Sequence, residues 1–88
     1  MIRKEVTIIN TLGLHARPAA QIVKAAALRK ANLWIEKDGE RINGKSIMGV
    51  MMLAAEKGSK IILETDGEEE EELIKDLEGL IRNKFNEE

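Results

Sequence analysis

The 88-residue chain has no cysteine and no tyrosine, and one each of histidine, proline, tryptophan and phenylalanine. Without cysteine there is no disulfide, no thiol nucleophile and no thiolate metal site, a composition suited to a reducing cytosol. With so few rings there is no platform on which bases could stack. No dense Lys/Arg run compensates, so a nucleic-acid partner is not expected. No segment is apolar for long enough to cross a bilayer, which argues against membrane insertion. Met1-Ile2-Arg3-Lys4-Glu5-Val6 has neither the basic start nor the long apolar run of a secretory leader, so the expected location is cytoplasmic. No metal and no cofactor are expected either. The carboxylates from Glu68 to Glu72 are consecutive, and consecutive positions scatter around a helix instead of converging on an ion.

What is present is a single small domain, residues 1–88, with 43% hydrophobic residues and therefore an aliphatic core. Charge is divided along the chain. Residues 1–60 carry 11 Lys and Arg against 5 Asp and Glu, whereas residues 61–88 carry 3 against 11. The basic part should attract acidic protein surfaces.

Hydrophobic spacing gives the element order βαββαβα. Val6 and Ile8 share a face of a first strand. Ala19, Ile22, Val23 and Ala26 form one stripe of a helix from Ala16 to about Arg29. Leu33 and Ile35 alternate with Trp34 and Glu36, and Asp38-Gly39 is a two-residue hairpin signal leading to a short polar edge strand, Glu40 to Asn43. Ile47 to Leu53, behind the favoured N-cap Ser46, has no charged or polar side chain. So small a domain can bury only one face of it, and the exposed remainder, rich in Met, suits docking. Lys60 to Thr65 is a central strand. Leu73, Leu77, Leu80 and Ile81 line the last helix, with Glu71–Lys75 and Glu78–Arg82 spaced for i,i+4 pairs. Residues 83–88 are expected to fray. The fold class is α+β, an open-faced sandwich of four strands and three helices. The pattern does not fix the strand order.

The stretch Gly13-Leu14-His15-Ala16-Arg17-Pro18-Ala19 holds both the only His and the only Pro. Pro18 fits the first turn of a helix, where its missing N–H removes no helical bond, and this makes His15 the N-cap. The amides of Ala16, Arg17 and Ala19 then face the imidazole with the positive end of the helix dipole, a ready anion site. Arg17 adds a guanidinium that can grip three oxygens of an anion. The same dipole disfavours an imidazolium, so the ring should be neutral and nucleophilic. A neutral imidazole beside an anion cradle points to a His that accepts a phosphoryl group. With no second His and no thiol, a free-standing hydrolase is not expected.

This stretch, together with Lys45-Ser46-Ile47-Met48-Gly49-Val50-Met51, resembles the two signatures of the HPr family, the histidine phosphocarriers of the bacterial sugar phosphotransferase system. The resemblance runs over nearly the whole chain. It implies an antiparallel sheet ordered 1-4-2-3 with all three helices on one face. It implies that His15 takes the phosphoryl group on Nδ1 from enzyme I, charged by phosphoenolpyruvate, and gives it to IIA domains of sugar permeases, with Arg17 stabilising the phosphorylated form. It assigns docking to Ile47, Met48, Met51 and Ala20, with Lys24 and Lys45 at the rim. Ser46 matches the family's regulatory phosphoserine, which brings in an HPr kinase/phosphorylase and transcriptional regulators as partners. A monomeric carrier, not an enzyme in its own right, is the expectation. A nitrogen-branch paralogue with the same chemistry is a second reading. A purely regulatory binding module is a third, and His15 argues against it, because family members of that kind have lost the active-site His.

Overall fold

Alternation of apolar and polar residues decides which side of each strand is covered. The computed structural model describes Met1–Glu87. Its elements run β1 (Ile2–Thr7), α1 (Ala16–Ala27), β2 (Asn32–Lys37), β3 (Glu40–Asn43), α2 (Ile47–Met52), β4 (Lys60–Asp66) and α3 (Glu70–Arg82), followed by a short 3₁₀ turn, Lys84–Asn86. All strand pairs are antiparallel, and the sheet order is β1-β4-β2-β3. Strand β4 is thus central, as its apolar composition requires, and the polar β3 lies at an edge. In the register, Val6 stands opposite Ile61 and Ile2 opposite Thr65, while Ile35 stands opposite Leu63 and Leu33 opposite Thr65. Those side chains share the face covered by the helices. All but Thr65 join Ile22, Ala26, Val50, Leu73, Leu77, Ile81 and Phe85 in one largely aliphatic core.

The hairpin between β2 and β3 turns on Asp38 (φ 52°) and Gly39 (φ 84°), two consecutive left-handed residues that match the twist of the flanking strands. Helix α1 ends two residues earlier than the spacing predicts: the amides of Leu28 and Arg29 reach back only three residues, to Ala25 and Ala26.

Two expectations are overturned. Neither predicted i,i+4 pair of α3 forms among the described residues. Glu78 instead reaches Lys4 of β1 at 3.2 Å, because Lys4 stands on the helix-covered side of the sheet. The segment after α3 does not fray. Phe85, the only phenylalanine, is 1% exposed and anchors it to the core, so the chain is held as far as Glu87; Glu88 lies outside the described residues.

The uncovered face of the sheet carries a charge network. Glu64 of β4 accepts from Arg3 at 2.5 Å and from Arg41 at 2.9 Å, and Arg41 lies 4.9 Å above the Trp34 ring. The Arg3 hydrogen bond, reinforced by Arg41, holds the Glu64 carboxyl below its usual range. The Gly67 amide, which donates to Glu70 at 2.9 Å, does the same for Glu70, together with the Met1 amino group. Both carboxyls bind protons less readily in the folded chain than in the unfolded one. Their contribution is therefore present at neutral pH and is lost as pH falls below the ordinary Glu range of about 4.3. Urea midpoints measured between neutrality and acid should fall across that window, and E64Q should flatten the decline.

Candidate functional site

The site begins at Gly13. Its φ of +68° lies in the left-handed region, and a Cβ there would collide with the Ala55 carbonyl oxygen and crowd Glu56 Cα. Next to it the Leu14 amide donates to that same carbonyl at 2.9 Å, and the Leu14 side chain is buried. Backbone contact between the loop before α1 and the segment after α2 therefore fixes where His15 stands.

His15 occupies the N-cap of α1 with extended backbone, φ −80° and ψ −168°. Its ring makes no capping bond. It is left half-exposed, with 36% of the side chain accessible. One part of the expected anion cradle is corrected. The Ala19 amide donates to the His15 carbonyl at 3.0 Å, since an N-cap carbonyl accepts the first helical bond, and so it is not available to a ligand. Pro18 has no amide proton. The cradle therefore reduces to the amides of Ala16 and Arg17, which bond to nothing among the described residues. Arg17 is exposed and makes no ion pair among the described residues. It shares the lining of a cleft of about 400 Å³ with Thr11, Leu12, Asn86 and Glu87.

Two side chains at the site were not anticipated. Glu87 places Oε2 2.6 Å from His15 Nε2, and its Oε1 accepts from Asn10 Nδ2 at 3.0 Å. Asn10 is fully buried and also donates to the Gly13 carbonyl at 2.8 Å. The expectation of a frayed tail hid Glu87. The signal that could have found it is Phe85, whose large apolar ring in an otherwise polar tail demands a place in the core. No group of three or more His, Asp or Glu positioned to hold a metal ion occurs among the described residues.

The apolar helix α2 buries Val50 and leaves Ile47, Met48, Met51 and Met52 outside, 42–73% exposed, with Leu12 also 70% exposed. Helix α2 packs against α1. The segment that follows it supplies Ala54, Ala55 and Glu56 to a shallow pocket on the flank of His15, together with Leu12 and Leu14. Ala20 and Lys24 are exposed on α1; Lys24 lines a groove between α1 and α3 with Leu28, Asp76 and Leu80. Lys45 is exposed before α2, and its Nζ donates to the Arg29 carbonyl at 3.4 Å. Ser46 is the N-cap of α2, its Oγ accepting from the Gly49 amide at 3.1 Å. Replacing it by Ala should cost about 1 kcal/mol and lower Tm by several degrees, whereas Asp should hold the cap. Thermal unfolding of S46A and S46D checks this.

Residues 2–83 match the family model described as the PTS HPr component phosphorylation site. The chain belongs to the HPr family. It is 48% identical over 87 residues to the phosphocarrier protein HPr of Neisseria meningitidis serogroup A, covering 99% of this chain and 98% of the relative. The fold superposes on the crystal structure of HPr-C-His from Thermoanaerobacter tengcongensis with a TM-score of 0.96, at 45% identity and with 100% and 99% of the two chains covered. A structure described as an HPr dimer from the same organism matches with a TM-score of 0.77, at 48% identity, covering 93% of this chain and 97% of that one. Family membership places the chain among the phosphocarriers of the phosphotransferase system. The sheet order and the three helices are those of HPr structures. Among the described residues, no helix is long and apolar enough to cross a membrane.

Proposed function

We propose that this HPr accepts a phosphoryl group on His15 from phospho-enzyme I, which draws it from phosphoenolpyruvate, and passes it to the IIA domains of sugar permeases. One observation carries this reading. A half-exposed imidazole stands at the N-cap of a 12-residue helix, with two amides of the first turn unspent and Arg17 beside it. The amides and the dipole supply fixed partial positive charge, and Arg17 a full one, where the transferred oxygens will sit. Contacts of this kind hold the group without trapping it, as a carrier requires. Transfer is then a matter of positioning and electrostatics.

Leu12 and the exposed side chains of α2 form the docking surface, with Ala20 beside them and Lys24 and Lys45 as charged rim. A phosphate on Ser46 would sit at a helix start, where it is tolerated, and at the edge of that apolar patch, where it would hinder an acidic partner. Residues 1–88 work as one domain, monomeric, in the cytoplasm.

Incubation with enzyme I and phosphoenolpyruvate, followed by addition of a IIA domain, tests the reading. An acid-labile adduct on His15 that disappears as IIA becomes phosphorylated is the expected result. Failure to form the adduct contradicts it. Transfer to a nitrogen-branch IIA in preference to a sugar-permease IIA assigns the chain to that branch.

A further inference from the structure

We infer that Glu87 is a positioning residue for His15, holding the ring as the Nε2–H tautomer so that Nδ1 keeps the free electron pair. The inference rests on the phosphocarrier reading and goes beyond it in naming what selects the reacting nitrogen. A carboxylate 2.6 Å from Nε2 can only accept, so a neutral ring must place its single proton on Nε2. The carboxylate is itself held. Its second oxygen takes the Asn10 amide at 3.0 Å, and only 13% of its side chain is accessible. The backbone that delivers it is costly to form. Lys84, Phe85 and Asn86 have φ of 53°, 54° and 60°, three successive non-glycine residues in the left-handed region. Burial of Phe85 and the bond from Gln21 Nε2 to its carbonyl at 3.2 Å hold that turn closed. A tail that merely ended after α3 would need none of this.

The consequence for transfer is that no proton moves. The Nδ1 electron pair forms a bond to phosphorus while the donor's bond to phosphorus breaks and its electron pair leaves with the donor. The ring gains one positive charge and keeps the Nε2 proton, and the Glu87 carboxylate faces that charge. In onward transfer the N–P bond breaks and its electron pair returns to Nδ1. The same neutral tautomer is restored. Among the described residues, Glu56, on the segment after α2, shares a pocket with His15, and Arg17, on its own helix, lines the cleft beside Glu87.

Nitrogen NMR of the unphosphorylated protein labelled at His15, above the ordinary imidazole titration range, reads the tautomer directly. Wild type should show a downfield, slowly exchanging Nε2–H; E87A should lose it. E87Q, whose single amide oxygen can accept from Nε2–H or from Asn10 but not from both, should weaken the signal without abolishing it and should lose the facing charge. Phosphorylation by enzyme I should slow about tenfold in E87A and less in E87Q, with melting temperatures close to wild type. An unchanged ring signal in E87A, or an unchanged rate, overturns the inference. Failure of wild type to be phosphorylated at all strikes the phosphocarrier reading, while the tautomer experiment still reads the Glu87 contact by itself.

Discussion

His15→Ala abolishes the acid-labile phosphoryl adduct and leaves the fold in place. The reason for total loss is compositional: there is no second His and no Cys to take over as nucleophile. The reason for an intact fold is geometric. The ring is half-exposed and makes no capping bond, and among the described residues its hydrogen bond is to Glu87. Removing it should cost about 1 kcal/mol or less, because Ala keeps the backbone whose carbonyl accepts the first helical bond. Intact-protein mass measurement after incubation with enzyme I and phosphoenolpyruvate, paired with a melting curve, checks both halves. An adduct on H15A would move the chemistry to another residue.

Gly13→Ala has the opposite profile, a large loss of stability that takes the site with it. Two costs coincide there. The backbone is left-handed, and the added methyl group would overlap the Ala55 carbonyl that already bonds Leu14. Gly39 separates the costs. Its φ is also positive, at +84°, but nothing lies within 4 Å of a Cβ at that position. G39A should therefore lose only the conformational part, about 1 kcal/mol. G13A should lose about 3 kcal/mol or more, which lowers Tm by at least about 10 °C. Differential scanning calorimetry of the two variants decides between them. Equal losses would mean that the contact of this loop with Ala55 is not what holds His15 in place.

The elements and their faces were legible because they follow from periodicity, and periodicity survives in a sequence. Leu33 and Ile35 had to be buried together, and β4 had to be central. The N-cap role of His15 followed from one Pro, whose ring tolerates few positions. Three features were not legible, each for a physical reason. The ends of a helix amide series depend on counting bonds from the N-cap, and Ala19 falls one place beyond the free set. Lys4 competes for Glu78 across space, and no spacing within α3 can show that. The tail's order is hidden because polar composition at a chain end usually means solvent. The exception turns on Phe85, whose burial, with the Gln21 bond to its carbonyl, holds the left-handed turn closed and so brings Glu87 to the ring.

Two unspent amides at the start of α1 are expected to receive the phosphoryl oxygens. Backbone amide NMR before and after phosphorylation by enzyme I reads this contact. The Ala16 and Arg17 amide protons should move downfield by more than any others, while the Ala19 amide, already bonded to the His15 carbonyl, should move little. Phosphorylation of His15 that leaves Ala16 and Arg17 unmoved would contradict the account.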